Sequence, residues 1–417
     1  MDSKAEAVTQ NVFDVLKERG FIQQCTHEAE IRRLLGETRV TFYIGFDPTA
    51  DSLHIGHYLT VMAMAHLQRA GHRPVALMGG GTGMVGDPTD KSEMRRVMTK
   101  AEIDHNVDCF KKQMSRFIDF NDGKAVMVNN ADWLLALKYV EFIRDYGVHF
   151  SVNRMLATDV YKTRFEKGLT FFEFNYHLMQ SYDFLELYRR YGCNLQMGGN
   201  DQWANIIGGA ELIRRVENAA AYGMTFTLLQ TSEGHKMGKT QKGALWIDPA
   251  KTPPYEFFQY FRNVDDADVG TCLALLTFLP MAEVNRLKEL PGSEINKAKE
   301  VLAYETTKLV HGEAEADKAL AAAKALFAGG ATGGSIPTTA ISAADFGEGV
   351  NIIALLEIAR LAPSRSEGRR NVAQGGIKVN DVKIESVDHI VSVRDFTDGS
   401  LMIQKGKKTF HRFTIKA

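Results

Sequence analysis

The most constraining feature of this chain is an alternation of strand-like and helix-like stretches between Val40 and about Gln230. Short apolar or β-branched runs predict strands, and longer stretches of helical periodicity lie between them. This alternation predicts an α/β fold, a Rossmann-like doubly wound parallel sheet covered by helices on both faces. The predicted strands are VTFYIGF, RPVALMGG, AVMVNN, CNLQMGG and MTFTLLQ, and the clearest helices are YLTVMAMAHLQRAG and WLLALKYVEFIRDYG.

The sequence pattern changes after WIDPAKTPPYEFF, where strand signals stop and only helices are predicted from Pro254 to Phe327. The aperiodic, glycine-rich AGGATGGSIP then predicts a flexible linker. We therefore predict an α/β domain over residues 1–248, an all-helical domain over 249–328, a linker over 329–350 and a small α+β domain over 351–417.

Charge is distributed unevenly along the chain. The whole chain has a formal net charge of −1, which gives no general nucleic-acid signature. The segment from Asn351 onward has twelve Lys and Arg against seven Asp and Glu, a net +5 that leaves −6 on the rest. A small basic module beside an acidic body predicts local binding of a polyanion, and the alternative is a solubilising tail.

The cysteines and the apolar runs limit the cellular setting. The four cysteines are far apart and form no CxxC pair, which argues against a structural zinc site or a disulfide framework and fits a reducing compartment. The polar N-terminal residues MDSKAEAVTQ lack a signal-type apolar core. No apolar run reaches the ~18 residues that a membrane helix needs, so we expect a cytoplasmic protein.

Two histidines, His54 and His57, lie one helical turn apart where a predicted strand gives way to a helix. Helix starts expose unpaired N–H groups and attract anions, and Gly56 permits close approach of a ligand. Thr49 adds a hydroxyl nearby. A zinc site would need further ligands at a set spacing. The spacing alone favours the remaining alternative, a pair of histidines that cap the helix.

A glycine-dense loop, LMGGGTGMVGDPTDKSEMRR, follows another predicted strand. It lacks the GK[ST] ending of a P-loop, and its spacing is weak evidence for a dinucleotide site. Asp87 suits an ammonium group, whereas Lys91 and Arg95 suit phosphates. A solvated charged loop is the alternative.

Three polar residues interrupt the apolar, aromatic helix FFEFNYHLMQSYDFLEL. Tyr176, Gln180 and Asp183 fall at i, i+4 and i+7, and therefore form one stripe. If the stripe is buried, each side chain needs a hydrogen-bonding partner. It is either a face turned to solvent or the wall of a pocket for a small polar ligand.

Two further loops contain chemically suggestive residues. In GGNDQWANI, Gly199 permits close approach, and Asp201 and Gln202 lie where a helix should begin. An acidic group there suits a ribose hydroxyl pair, and the alternative is an ordinary helix cap. In GHKMGKT, Lys236 and Lys239 lie three residues apart among glycines, which suits phosphate binding or a solvated loop.

Taken together, these motifs resemble those of class I aminoacyl-tRNA synthetases. HIGH is intact from His54 to His57, and KMGKT resembles KMSKS, with Gly238 in place of the first serine. The details most resemble the bacterial-type tyrosyl-tRNA synthetases along essentially the whole chain: YIGFDPTADSLHIGH, GTGMVGDP, GGNDQWANI and the C-terminal LLEIARLAPSRSEGRRNVAQGGIKVN, which is similar to an S4-type RNA-binding module.

The resemblance implies roles for individual residues. For catalysis it implies His54, His57, Thr49, Lys236, Lys239, Thr240, Lys91 and Arg95. For tyrosine binding it implies Tyr43 and Asp183 at the phenol hydroxyl, Asp87, Tyr176 and Gln180 at the ammonium group, and Gln202 near the carboxylate. For ATP it implies Asp47, Gly56, Gly199, Asp201 and Lys239, and for RNA it implies Arg365, Arg369, Arg370 and Lys378.

The implied activity is attachment of L-tyrosine to tRNA(Tyr) in two steps, through tyrosyl-adenylate. The implied partners are tRNA, tyrosine, ATP accompanied by Mg²⁺, and a second copy of the chain, with no protein-bound metal and no membrane. The implied helical domain serves the anticodon region of the tRNA. Three alternatives stay open: a tryptophan enzyme of the same superfamily, a non-catalytic RNA-binding relative, and an NAD-dependent dehydrogenase suggested by the glycine loops.

Overall fold

The computed structural model describes residues 10–88, 98–240, 243–327, 337–342, 346, 349–397, 399–406 and 409–416. The side chains of residues 159, 160, 163, 167, 239, 240, 326, 327 and 416 are outside this description. The chain divides into two compact units, residues 1–317 and 318–417. Each unit is described by itself.

The first unit is built on one six-stranded sheet. Its strands are β1 (Ile22–Cys25), β2 (Thr41–Phe46), β3 (Arg73–Met78), β4 (Val126–Asn129), β5 (Leu195–Gly199) and β6 (Tyr222–Phe226). They lie in the order β1-β6-β5-β2-β3-β4, parallel except for β1, which pairs antiparallel with β6. The prediction of a mostly parallel sheet is therefore confirmed.

Helices connect and cover these strands. They are α1 (Val12–Arg19), α2 (Glu28–Glu37), α3 (Ile55–Arg69), α4 (Lys100–Met114), α5 (Ala131–Leu134), α6 (Tyr139–Asp145), α7 (Val152–Leu156), α8 (Asp159–Lys167), α9 (Phe171–Phe174), α10 (Tyr176–Tyr191) and α11 (Trp203–Glu217). Helix α3 packs on β3, and α11 packs on β5 and β6. Strand β3 is buried over five of its six residues, as a central parallel strand requires.

Two local predictions in this unit were wrong. The stretch WLLALKYVEFIRDYG is not one helix, because α5 ends at Leu134 and α6 begins at Tyr139. Trp133 and Leu134 at the end of α5 are buried, whereas Leu135 just after it is 55% exposed. The chain therefore leaves the core at this point, and the helix does not continue. The strand predicted as MTFTLLQ is displaced, since β6 ends at Phe226.

The prediction of helices between Pro254 and Phe327 is confirmed. The helices are α12 (Pro254–Arg262), α13 (Val269–Leu276), α14 (Met281–Lys288), α15 (Ile295–His311) and α16 (Glu313–Phe327). Two short antiparallel strands of two residues each precede these helices, β7 (Lys239–Thr240) and β8 (Gly243–Ala244). Short 3₁₀ turns lie at Thr82–Met84, Asn121–Gly123, Gly147–His149, Asn200–Gln202, Asp266–Asp268, Gly292–Glu294 and Val393–Asp395.

The second unit has the expected small α+β composition. Its strands are β9 (Thr338–Ser342), β10 (Val350–Asn351), β11 (Ile377–Val379), β12 (Val382–Lys383), β13 (Ile390–Val391), β14 (Ser400–Lys405) and β15 (Thr409–Lys416), and its helices are α17 (Ile352–Ile358) and α18 (Arg365–Ala373). The five-stranded sheet has the order β12-β11-β14-β15-β9. Strand β9 lies within the range predicted as a linker, yet it pairs in parallel with β15. Phe346, from the same range, is buried in this unit's core.

Candidate active site

A cleft of about 520 Å³ lies at the carboxyl ends of the central parallel strands, the usual ligand position in such sheets. Its walls come from β2, β5, the start of α3, helix α10 and the loop before β7. The predicted residues that line it are Tyr43, Asp47, Thr49, His54, Gly56, His57, Asp87, Tyr176, Gln180, Asp183, Gly199, Asp201, Gln202 and Lys236. Residues from widely separated motifs therefore share one cavity.

Four predicted residues lie wholly or partly outside the description. Lys91 and Arg95 are outside the described residues. Lys239 and Thr240 make up strand β7, but only their backbone is described and not their side chains. Their proposed contacts with phosphate remain predictions.

The histidine pair caps helix α3 and also lines the cleft. His54 Nδ1 accepts a hydrogen bond of 3.0 Å from the Gly56 N–H, and His57 Nδ1 accepts one of 3.3 Å from the His54 N–H. The two rings stack with their centroids 3.9 Å apart. The capping interpretation is thus correct, and it is compatible with ligand binding because both residues border the cavity.

The stripe on helix α10 faces the interior and not solvent. Tyr176 is 6% exposed and Asp183 is 1% exposed. Asp183 Oδ1 accepts a hydrogen bond of 2.7 Å from the Trp133 indole, and Oδ2 accepts one of 2.8 Å from the Asn130 amide. Burial raises the pKa of Asp183 to about 8, against the opposing effect of these two donors.

Buried polar atoms without a hydrogen-bonding partner among the described residues mark the inner end of the cleft. They are the hydroxyl of Tyr43 and the Oε1 atoms of Gln180 and Gln196. All three residues line the cavity, and burial raises the pKa of Tyr43 well above its usual value. Because a buried polar group without a partner is costly, this end is suited to a ligand with hydrogen-bonding groups of its own.

Two carboxylates lie further along the cleft, each engaged by neighbouring side chains. Asp47 accepts hydrogen bonds from the Thr82 hydroxyl at 2.8 Å and from the Tyr176 hydroxyl at 2.9 Å. Asp87 accepts one of 2.7 Å from the Gln202 amide. These contacts hold negative charge close to the α10 stripe, as a site for an ammonium group requires.

The loop that contains Lys236 is held against the start of α3. Gly238 has a φ of +83°, and a Cβ there would lie 1.9 Å from Ile55 Cγ2. Its N–H donates to the Tyr260 hydroxyl at 2.8 Å, and its carbonyl accepts from the Leu245 N–H at 2.7 Å. The glycine that replaces the first serine of KMSKS is therefore required by this conformation.

Comparison with known proteins assigns the chain to a family. The family described as tRNA synthetases class I (W and Y) matches residues 36–328, and the tyrosine–tRNA ligase SYY-like C-terminal domain matches residues 331–413. A protein of Lachnoclostridium phytofermentans named tyrosine–tRNA ligase is 64% identical, over 97% of this chain and 99% of its own length. The chain belongs to the tyrosyl-tRNA synthetase family.

Further relatives and a solved structure support the assignment to the tyrosyl-tRNA synthetase family. A tyrosine–tRNA ligase of Caldanaerobacter subterraneus is 60% identical over 97% of this chain and 100% of its own. The structure is similar to that of a C-terminally truncated mitochondrial tyrosyl-tRNA synthetase from Aspergillus nidulans, with a TM-score of 0.69, 29% identity, and coverage of 76% of this chain and 94% of the other. The Archaeoglobus fulgidus tyrosyl-tRNA synthetase, at 19% identity and a TM-score of 0.56, shares the fold.

Sequence reasoning missed three residues that line this tyrosyl-tRNA synthetase cleft, and also Trp133, which does not line it but contacts Asp183. Asn130 and Trp133 hold Asp183, Thr82 holds Asp47, and Gln196 lines the inner end. The signals were weak because Asn130 and Trp133 lie 53 and 50 residues from Asp183 in sequence. The one usable hint was that Asn130 is the last residue of the predicted strand AVMVNN, and parallel sheets place ligand contacts at the carboxyl ends of their strands.

The predicted RNA-binding residues lie on the surface of the second unit. Arg365, Arg369 and Arg370 are exposed on α18, and Lys378 is exposed on β11. Arg365 Nε donates to Glu357 Oε2 at 3.2 Å. Since Arg365 and Arg369 are four residues apart, they share a face of this helix.

Two kinds of feature are absent from the part of the chain that the structure describes. No group of three or more His, Cys, Asp and Glu side chains in the described ranges could hold a metal ion. Within the same ranges, no helix is both long enough and apolar enough to cross a membrane.

Proposed function

We propose that this chain attaches L-tyrosine to tRNA(Tyr) in two steps. Tyrosine and ATP first give tyrosyl-adenylate and pyrophosphate, and the tyrosyl group then passes to a ribose hydroxyl of the 3′ terminal adenosine. The observation that supports this most directly is the inner end of the cleft. There the buried carboxyl group of Asp183 accompanies the hydroxyl of Tyr43, which has no hydrogen-bonding partner among the described residues. This pair suits a phenol, which both donates and accepts a hydrogen bond.

The same pair accounts for discrimination against phenylalanine. An analogue without the hydroxyl leaves the buried groups of Tyr43 and Asp183 unpaired, which costs far more than the loss of one exposed contact. The magnitude known for this effect comes from this enzyme family, where it reaches roughly 10⁵ without editing.

The outer part of the pocket recognises the amino-acid backbone of tyrosine in this proposal. Asp87, Tyr176 and Gln180 hold the ammonium group, and Gln202 lies near the carboxylate. The negative charges of Asp47 and Asp87 support the ammonium assignment, because a carboxylate forms charge-assisted hydrogen bonds with it.

ATP binds at the outer face of the cleft, in our proposal. On the α3 side the phosphates contact His54, His57, Thr49 and Gly56, with Asp47 beside them. The ribose contacts Gly199 and Asp201. On the opposite side the phosphates contact the loop residues Lys236, Lys239 and Thr240, and the departing pyrophosphate is bound by Lys91 and Arg95. Mg²⁺ arrives with ATP as part of the substrate, which is how this ion commonly enters phosphate sites.

Chemically, the first step needs no general base. The tyrosine carboxylate, whose ordinary pKa is about 3.5, is already ionised at neutral pH. Its oxygen forms a bond to the α-phosphorus while the bond to the pyrophosphate oxygen breaks, and pyrophosphate leaves with the electron pair. The protein contributes position and positive charge where negative charge develops on the phosphates.

The second unit binds tRNA through Arg365, Arg369, Arg370 and Lys378 in this proposal, and the helices between residues 249 and 328 serve the anticodon region. The exposed positions of these four cations support it, because phosphate contacts supply most of the affinity of such surfaces. The cytoplasm, where tRNA is charged for translation, is the proposed location.

We also propose a homodimer. Of the thirteen large hydrophobic residues exposed within the described ranges, eight lie between residues 135 and 172, including Phe171 at 67% and Phe172 at 41%. The alternative that these two rings pack in the core is therefore wrong. A second copy that packs against this part of the chain would remove these apolar side chains from solvent. A monomeric mass by light scattering at micromolar concentration would contradict the dimer.

ATP–pyrophosphate exchange with each amino acid separately tests the activity. We expect exchange with tyrosine, strongly reduced exchange with phenylalanine, and no exchange with tryptophan. Exchange supported by tryptophan would indicate the tryptophan enzyme, and no exchange with any amino acid would indicate a non-catalytic RNA-binding relative. A change in nicotinamide fluorescence on titration would revive the dehydrogenase alternative.

A further inference from the structure

A row of polar side chains leads from the tyrosine pocket into the interior between α10 and α11. Asp87 Oδ2 accepts from Gln202 Nε2 at 2.7 Å, Gln202 Oε1 accepts from Asn205 Nδ2 at 3.2 Å, and Asn205 Oδ1 lies 3.0 Å from His177 Nδ1. Asp87, Asn205 and His177 are 7%, 3% and 6% exposed. His177 and Asn205 are not among the residues that line the cleft.

These hydrogen bonds have one possible direction. A carboxylate without a proton can only accept, so the NH₂ group of Gln202 points toward Asp87 and its oxygen points toward Asn205. Asn205 must then donate with its own NH₂ group, which leaves its oxygen facing His177. His177 therefore donates from Nδ1, and burial, which lowers its pKa, keeps the ring in the neutral form with one N–H.

The His177 ring is held firmly in place. The ring of Phe150 meets it edge-on with the centroids 5.7 Å apart, and Tyr161 lies at 6.4 Å. On α11, Gly208 provides the necessary space, because a Cβ there would lie 2.5 Å from His177 Nε2. The end of the row is thus a donor whose position the packing of two helices determines.

We propose that His177 and Asn205 are positioning residues for tyrosine binding. They keep the Gln202 amide turned with its NH₂ group toward Asp87, and so hold Asp87 and Gln202 ready for the ammonium and carboxylate groups of the substrate. The proposal rests on the proposed function and deepens it. Without the donor at His177, the Asn205 and Gln202 amides lose their preferred direction, and a reversed Gln202 amide would set its oxygen against Asp87.

The first test is a pair of substitutions at His177. His177→Leu removes the donor, whereas His177→Asn keeps an N–H near the place of Nδ1. We expect His177→Leu to raise the KM for tyrosine in ATP–pyrophosphate exchange roughly threefold to tenfold, the cost of one neutral hydrogen bond. The KM for ATP should stay within about twofold of the wild-type value, and His177→Asn should restore most of the tyrosine affinity.

The second test reverses the direction of the hydrogen bonds in this row of side chains. Asn205→Asp places an acceptor opposite both neighbours, so Gln202 must turn its NH₂ group away from Asp87. We expect a larger rise in the KM for tyrosine than in His177→Leu. If Asn205→Asp does not fold, the comparison of His177→Leu with His177→Asn still tests whether His177 acts as a hydrogen-bond donor.

A matched control is available at His72. This histidine is 5% exposed, its Nδ1 accepts a hydrogen bond of 3.2 Å from the Val40 N–H, and it does not line the cleft. His72→Leu and His72→Asn should lower thermal stability without changing the ratio of the two KM values.

Three outcomes would overturn the proposal. They are an unchanged KM for tyrosine in His177→Leu, an equal defect in His177→Asn, and an equal rise in both KM values, since the last two would indicate a packing role. Failure of the proposed function itself is distinguishable, because the wild-type chain would then show no tyrosine-dependent exchange.

Discussion

The indole N–H of Trp133 donates a hydrogen bond of 2.7 Å to Oδ1 of Asp183, so a residue of α5 fixes the orientation of a carboxyl group on α10. Asn130 holds the other oxygen at 2.8 Å. The two donors leave the Asp183 side chain little rotational freedom. If Asp183 binds the phenol as proposed, that recognition also depends on Trp133 and Asn130, which lie outside the α10 stripe.

Substitutions around the Asp183 carboxyl group should weaken selectivity for tyrosine. Tyr43→Phe and Asp183→Asn each alter one hydrogen bond to the phenol, and Trp133→Phe removes the support of Asp183. We expect the ratio of kcat/KM for tyrosine to that for phenylalanine to fall in all three, by roughly threefold to tenfold in Trp133→Phe. Tyr58→Phe is the control, since it loses a buried hydrogen bond of 3.0 Å to the Leu276 carbonyl away from the pocket. Unchanged ratios would remove these residues from the phenol site.

The raised pKa of Asp183 predicts a pH-dependent stability. In the folded chain its carboxyl keeps a proton up to a pKa of about 8, whereas the ordinary value is 3.8. Between these values the folded state binds more protons than the unfolded state, so the contribution of Asp183 to stability is lost as pH rises. The free energy of unfolding of the wild type, relative to Asp183→Asn, should therefore decrease from pH 5 to pH 8. The free energies are measured by urea denaturation at each pH. If those of the wild type and of Asp183→Asn change with pH in the same way, the pKa of Asp183 is not raised in the folded chain.

Gly238 should tolerate no side chain, whereas Gly234 in the same loop should. Both have a positive φ, +83° and +82°, so both alanine variants incur similar backbone strain. A Cβ at Gly234 meets nothing within 4 Å, but at Gly238 it meets Ile55. We expect Gly238→Ala to slow single-turnover adenylate formation at least about fivefold more than Gly234→Ala does, since overpacking typically costs ~1–3 kcal/mol. Equal rates would show that the loop does not act in the conformation described.

Lys236→Ala and Lys239→Ala should slow adenylate formation with little effect on tyrosine affinity. Contacts made mainly in the transition state affect rate and not substrate binding. Loss of one charge-assisted contact, ~2–3 kcal/mol, corresponds to roughly 10²-fold in rate. Lys100→Ala is a control for loss of a lysine, because Lys100 pairs with Asp104 on α4. Normal single-turnover rates in both loop variants would refute the phosphate assignment.

Truncation near Gly334 should separate the two steps of the reaction. Amino-acid activation should persist, because the cleft residues all precede this point. tRNA charging should fall sharply, because the deletion removes the segment from Asn351 onward, which has a net charge of +5. In the full chain, replacement of Arg365, Arg369 and Arg370 should reduce the salt dependence of tRNA binding by about one slope unit per lost contact. Full charging by the truncated chain at physiological salt and limiting tRNA would assign the basic segment a solubilising role.

The sequence by itself determined the framework of this molecule. Strands β2 to β5 and helix α3 follow from apolar periodicity, because burial in a parallel sheet or on a helix face acts on neighbouring residues. The histidine pair, the α10 stripe and the loop lysine were identified because each motif is local. The short polar β1 strand IQQC escaped prediction, since it has no apolar run and is specified by pairing with β6.

Only the tertiary structure decided how these motifs act on one another. It showed that His54 and His57 cap α3 while they line the cleft, that Asp183 is buried and held by Asn130 and Trp133, and that Gly238 lies against Ile55. Apart from the histidine cap, these contacts join residues dozens to nearly two hundred positions apart, and no spacing along the chain encodes them. Sheet order and helix packing bring such side chains together, and burial then determines the pKa of Asp183 and which polar groups need a ligand.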